Sequence, residues 1–298
     1  MSTTQHPAAP PCSEAAAEPL EGTAKRAEAY VLFEWPGGWS RDVLDGGTFG
    51  PDLSARLKKA LKGRASLQLI RRPGRAGRDV GARHRCYLVW ARAGAMELLL
   101  LDGPEDLLRL DLSGPGRNGG QRVDTPLLLV CTHGRRDVCC AVKGRPLAAE
   151  LARDFPEQAW ETSHTKGHRF APAVLLMPWG YSFGRLNAPA ARELLTRALR
   201  GGFFLPANRG SGLYGPRGQV AELRVARALL DAGEDLAYGD LSADDAPEGP
   251  VAVRHRDGRR WEVPLVRREV EGVVASCGGA PKTVKAWVAE SGIHEEPA

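Results

Sequence analysis

Apolar residues along this chain fall into short blocks of two kinds. Some, such as AYVLFEW (29–35), are apolar at nearly every position, the mark of a buried strand, here ending in the turn PGG. Others are striped. PDLSARLKKALKG (51–63) carries Leu53, Leu57 and Leu61 at i, i+4 and i+8, which predicts an amphipathic helix closed by Gly63. SLQLIRR predicts a second strand, PGRAGRDVGARH a loop, CYLVWAR and MELLLLD two strands across a short Ala-Gly turn, and PEDLLRLDL a short helix.

After the linker SGPGRNGG (113–120) the same order returns. TPLLLVC predicts a strand, RPLAAELARDF a helix, AWETS a short strand, HTKGHRFA a loop, and PAVLLMPWG with YSFGRL a strand pair. NAPAARELLTRALRGG closes the series as a helix with Asn187 as its cap and Pro189 in its first turn. A helix crossing between parallel strands, then a strand pair, then a closing helix is the thioredoxin-like order. The predicted fold class is therefore α/β. A thioredoxin-like domain is expected over 121–205, preceded over 27–115 by a second, degenerate thioredoxin-like unit. Beyond it, NRGSGLYGPRG reads as a loop and QVAELRVARALLDAG as a helix with Val220, Leu223 and Leu230 on roughly one face. Asp257-Gly258 lies between alternating runs as a hairpin turn, so 206–298 is expected to be a helix plus a small β-rich appendage.

Composition adds three constraints. The first 26 residues are rich in Ala, Pro, Glu and Ser, which predicts a flexible tail over 1–26, and they lack the pattern of a secretory signal. The longest apolar runs, MELLLL and PLLLVC, fall far short of the ~20 residues a bilayer helix requires, so no membrane partner is expected and the predicted location is cytoplasmic, where thiols stay reduced. The formal charge of +5 and pI near 9.0 come from arginines spread through every segment without any nucleic-acid-binding motif. An acidic redox partner protein suits such a surface equally well, and without a motif nucleic-acid binding is not expected.

Against that background one stretch stands out. CTHGRRDVCC (131–140) holds three of the six cysteines and one of the seven histidines, while Cys12, Cys86 and Cys277 lie alone. Cys86 sits in an apolar strand, where a thiol is ordinary packing. The loop after TPLLLV supplies Cys131, Cys139 and Cys140, and the loop after AWETS supplies His164 and His168. Neighbouring parallel strands would bring both loops to one edge of the sheet, and Gly167 gives the second loop freedom to turn both rings inward.

Two thiolates and two imidazoles admit tetrahedral zinc, although the C-x7-C or C-x8-C spacing is wider than a usual zinc hairpin. They equally admit a [2Fe–2S] cluster with cysteines on one iron and histidines on the other. A thiol oxidoreductase would want a Cys-x-x-Cys, which is missing, and would leave the histidine pair without a purpose. Spacing alone does not say whether Cys139 or Cys140 is the ligand; the bland reading of Cys139 is a small buried hydrophobe at a helix start. His133, Arg135, Arg136 and Arg169 surround these residues as a solvated basic loop or as tuners of the site's charge. Asp137 reads as a cap, and Trp160, Trp179 and Phe170 as core.

CTHGRRDVCC together with SHTKGHRFAPAVLLMPWGYSFGRL resembles the sucrase/ferredoxin-like family, whose cluster domain is similar to thioredoxin-like ferredoxins. LFEWPGGWSRDVL and SCGGAPKTVKAWV also look like bacterial members. The resemblance implies a [2Fe–2S] cluster held by Cys131, Cys140, His164 and His168. It further implies one-electron transfer with a redox partner protein, an electron carrier more than a substrate-converting enzyme. A structural zinc module and a thiol-based redox protein are the alternatives. Lys166 stands where members often have a small residue and Phe183 where a tyrosine is common; Lys166 adds charge beside the histidines. Sugar hydrolysis, suggested by the family's label, needs two positioned carboxylates, and no motif marks such a pair.

Overall fold

Both strand–helix–strand runs feed one sheet. The computed structural model describes residues 11–15, 18–79, 81–244, 246–290 and 292–296. The first run comprises β1 (Ala29–Glu34), α1 (Pro51–Leu61), β2 (Ser66–Arg71), β3 (His84–Trp90) and β4 (Ala95–Leu101), then a 3-10 turn at Pro104–Arg109 and the short β5 (Gln121–Arg122). β1 pairs in parallel with β2 and antiparallel with β3, which pairs antiparallel with β4. Pro51 opens α1, where a missing N–H costs nothing, and Leu53, Leu57 and Leu61 point inward.

The second run repeats the plan with β6 (Leu127–Cys131), α2 (Val138–Asp154), β7 (Ala159–Thr162), β8 (Ala173–Met177), β9 (Tyr181–Gly184) and α3 (Ala188–Leu199). The Asn187 side chain caps α3 by accepting from the Ala190 N–H. β10 (Asn208–Ser211) adds an antiparallel edge beside β9, where the sequence pattern predicts a loop: the segment lacks apolar alternation and pairs because β9 offers it an open edge. The ten strands run in the order β10-β9-β8-β6-β7-β2-β1-β3-β4-β5.

The halves join where β2 meets β7 antiparallel, with Ile70 opposite Thr162 and Arg71 opposite Glu161. Each half carries helices on one face only. Val31, Phe33 and Leu69 pack with α1, while Leu128 and Val130 pack with Leu147 and Leu151 of α2 and with Leu194 and Leu195 of α3. The intervening residues of both halves (Tyr30, Leu32, Ile70, Leu129, Trp160, Leu175) form one shared cluster, with Tyr87 edge-on to Trp160 at 5.9 Å. The helix-free faces thus bury each other, which is why the strands read as unbroken apolar runs.

Beyond β10, α4 (Pro216–Asp231) packs Leu223, Val225 and Leu229 into the second half's core. The appendage follows as β11 (Leu241–Ala243), β12 (Val251–His255), β13 (Arg260–Val263), β14 (Leu265–Val273), β15 (Lys282–Ala289) and β16 (His294–Glu296). β11, β12, β13 and β16 form an antiparallel sheet, and β14 and β15 a ribbon. The β12–β13 turn is the predicted Asp257-Gly258, with Gly258 at φ 104°. The chain is a mixed α/β protein of thioredoxin-like order with a small antiparallel C-terminal appendage.

The expected flexible tail over 1–26 requires correction. Residues 1–10 lie outside the described residues, but Cys12, Ser13 and Glu18 are buried and Glu18 holds Arg169 at 2.5 Å. Residues 11–15 and those from 18 onward form an arm against the second half, because composition registers low hydrophobicity but not polar contacts made with remote residues. Among the described residues no helix is long and apolar enough to cross a membrane.

Candidate metal centre

β6 and β7 are parallel neighbours with Cys131 opposite Thr162, so the loops that leave them start side by side. Cys131 ends β6 fully buried. Asp137 caps α2 by accepting from the Cys139 N–H at 3.0 Å. Successive helical residues diverge by about 100°, so Cys139 and Cys140 at the start of α2 face different neighbours. Cys140 joins Cys131, and Cys139 turns away from it. Gly144 allows this approach of helix to strand: a Cβ there would sit 2.1 Å from the Cys131 carbonyl oxygen.

In the second loop Lys166 (φ 64°) and Gly167 (φ 99°) turn the chain between the two histidines. Arg209, buried to 1% exposure, clamps this turn. Its guanidinium donates to the Lys166 carbonyl at 3.1 Å, to the Thr23 hydroxyl at 3.0 Å and to the Thr23 carbonyl, and lies over the Phe170 ring. A Cβ on Gly167 would strike it at 2.5 Å.

The donor atoms of Cys131, Cys140 and His164 lie within 4.8 Å of one another. His168 stands outside this trio, its ring centroid 5.1 Å from that of His164 and its Nε2 3.6 Å from Asp137. His164 Nδ1, both His168 nitrogens and His133 Nε2 are buried without a hydrogen-bond partner. Orphaned buried polar atoms are rare because each forfeits its hydration, so the three on His164 and His168, whose loop meets the thiol pair, fit a bound cation or cluster. The donor set therefore suits a metal.

Electrostatics prepare the same donors. The Cys140 thiol bonds to Cys131, and this bond, helped by His164 against the opposing effect of burial, holds Cys131 well below the ordinary thiol range. The same contact, together with burial, pushes Cys140 up. Within the pair, the contact favours the ionised form of Cys131 and the protonated form of Cys140. Burial lowers His168 despite Asp137, and burial lowers His133, which favours neutral imidazoles, the form that ligates.

Residues from the first half orient these loops, and no local sequence signal marks them. His133 Nδ1 accepts the His164 N–H at 3.1 Å, and its ring meets Trp39 edge-on at 5.7 Å. Arg71 lies over Trp39 at 4.3 Å and pairs with Glu161 at 2.8 Å, and Glu161 accepts the Thr132 hydroxyl at 3.0 Å. Of the basic residues flagged from sequence, Arg135 is exposed, Arg169 pairs with Glu18, and Arg136 lines a cavity of about 450 Å³. That cavity also receives Lys25, Arg41, Lys58, Lys62 and Lys166, and His164 borders it. Trp160 and Phe170 are core, and Trp179 stacks on Tyr238 at 4.5 Å.

A second grouping brings Cys12, Asp137, Cys139 and Cys277 within 4.8 Å of one another. Cys12 and Cys277 are therefore not solitary, and Cys139 is not mere packing. Two of the three thiols come from opposite ends of the chain, so spacing could not announce them.

The family model described as sucrase/ferredoxin-like matches residues 20–210. No curated protein and no solved structure matches the chain.

Proposed function

Since the chain belongs to the sucrase/ferredoxin-like family, we propose that it is a one-electron carrier whose [2Fe–2S] cluster is held by Cys131, Cys140, His164 and His168. The observation that carries this reading is the set of three partnerless imidazole nitrogens on His164 and His168, whose loop meets a buried thiol pair. When bound, such a cluster accepts and returns a single electron, at about −150 to +300 mV with two neutral imidazoles against about −400 mV with four thiolates.

The chain supplies the rest. Cys131 and Cys140 lie on the buried side, while the half-buried histidines form the outer side, where His164 borders the basic cavity. Were Nδ1, its buried and partnerless atom, to bind the metal, the His164 proton would sit on Nε2. The lysines and arginines of that rim suit an acidic redox protein in the cytoplasm. We read it as an electron carrier more than a substrate-converting enzyme.

A second reading has its own observation: three donors within 4.8 Å of one another also suit a single zinc ion. Anaerobic purification with metal and acid-labile sulfide analysis separates the two. Two irons and two sulfides per chain with visible absorption, both lost in Cys131→Ser, support the cluster. A colourless protein whose zinc is lost in Cys131→Ser overturns it.

A further inference from the structure

We propose that Cys12, Cys139, Cys277 and Asp137 form a structural zinc site, separate from the centre at Cys131 and Cys140. The three sulfurs stand 3.6 Å (Cys12–Cys139), 3.5 Å (Cys12–Cys277) and 3.0 Å (Cys139–Cys277) apart, and Cys12 Sγ is 3.9 Å from either Asp137 oxygen. Zn–S bonds of about 2.3 Å in a tetrahedron place sulfurs about 3.8 Å apart, so these four side chains surround a volume suited to one ion. Three thiolates with one carboxylate carry the charge of a four-thiolate structural zinc centre and complete four protein ligands, each of a type zinc takes. A disulfide within the group would use two sulfurs and leave the third thiol and the carboxylate unassigned.

The surroundings orient these donors. Asp137 Oδ2 accepts the Cys277 N–H at 3.0 Å while Oδ1 accepts the Cys139 N–H at 3.0 Å, which fixes the plane of the carboxylate and leaves lone pairs free. The Ser13 hydroxyl points at Cys139 Sγ from 3.4 Å. Cys12, Asp137 and Cys139 are buried, and Cys277 is half-buried at the outer edge.

The site joins three parts of the chain that are far apart in sequence: the N-terminal arm, the first turn of α2, and the loop between β14 and β15. Arm and ribbon have few apolar contacts at this end, so one ion would contribute much of what holds them there. The site also touches the first centre: Cys139 precedes Cys140, and Asp137 lies 3.6 Å from His168 Nε2. A zinc ion here would close the arm and ribbon over the histidine side.

The test is metal analysis of the full chain, purified anaerobically without chelator, beside Cys12→Ser, Cys277→Ser and Cys131→Ser. The expected result is one zinc per chain that disappears in Cys12→Ser and Cys277→Ser, with the metal of the first centre and its absorption retained, and that persists in Cys131→Ser. If the first centre itself holds zinc, the count falls from two to one in every variant, and the proposal stands. Alkylation with mass analysis of the unsubstituted protein covers the case of a misfolded variant: Cys12, Cys139 and Cys277 should be protected until a chelator is added. Absence of zinc from the unsubstituted protein, zinc that survives loss of Cys12 and Cys277, iron in its place, or a Cys139–Cys277 disulfide in the reduced preparation would each overturn the site.

Discussion

Arg71 and Glu161 stand opposite each other where the two halves of the sheet meet, their charged groups 2.8 Å apart. Glu161 also accepts the Thr132 hydroxyl one residue beyond Cys131, and Arg71 covers Trp39, which in turn abuts His133. The seam between the halves is thus part of the scaffold of the candidate metal centre. It gives the first half, which contributes nothing to the Cys131, Cys140 and His164 grouping, a positioning role.

Arg71→Met should cost about 2–4 kcal/mol, because it strands a buried carboxylate whose remaining partner is a hydroxyl. Glu161→Gln should cost less, since its amide oxygen still accepts from Thr132. The double substitution should cost less than the two singles combined, a coupling read from urea unfolding of all four proteins. Strict additivity would show that the pair is not energetically joined.

Gly144→Ala tests the helix-to-strand approach. In an exposed helix interior this change stabilises by about 1 kcal/mol. Here the new methyl would meet the Cys131 carbonyl at 2.1 Å, and the shift of α2 should reverse the sign to a loss of about 1–3 kcal/mol. Metal content should fall with it, because α2 carries Cys140. A variant more stable than its parent, with full metal, would rule out this account.

These relationships differ in how far the sequence discloses them. The α1 leucines, the Asn187 cap and the placing of both ligand loops after parallel strands follow from local periodicity and turn chemistry, and they were legible. β10 was not, since Asn-Arg-Gly-Ser has no strand pattern; its conformation is imposed by β9, and Gly210 (φ 119°) is admitted because a Cβ would lie 2.6 Å from the Gln219 side chain. Nor was the β2–β7 seam, because two edge strands carry no mark of which edge they will meet. The Cys12–Cys139–Cys277 group lay hidden for a similar reason: motif spacing detects donors in one loop, whereas these are gathered by the arm and the ribbon. Arg209 looks like any other arginine until its three acceptors are seen.

Glu222 makes stability depend on pH. Burial raises its carboxyl to about 8, and Tyr181 donates to one oxygen at 2.6 Å while the other has no partner. The folded state therefore holds a proton that the unfolded chain releases near pH 4.5. This stabilisation is complete below about 4.5 and declines as pH rises towards 8, with a slope of at most about 1.4 kcal/mol per pH unit. Glu222→Gln removes the titration, so the variant should gain on its parent through that window and hold a constant advantage above it. Unfolding free energies that run parallel from pH 5 to 9 would contradict the assignment.

Arg209 ties the N-terminal arm to the histidine turn, through Thr23 on one side and Lys166 on the other. A lysine retains the charge but not the planar fork that reaches both segments, so Arg209→Lys should loosen arm and turn together. A local loss of about 1.4 kcal/mol corresponds to roughly tenfold more frequent opening, which trypsin would read as roughly tenfold faster cleavage after Lys25 or Arg26. Thr23→Ala removes the hydroxyl but keeps the carbonyl acceptor, and it should speed cleavage less. The absorption of the metal centre should change in Arg209→Lys and stay as it was in Thr23→Ala, because only the arginine touches the turn that carries His168. Faster cleavage with an unaltered spectrum in both variants would confine Arg209 to the arm and remove it from the scaffold of the site.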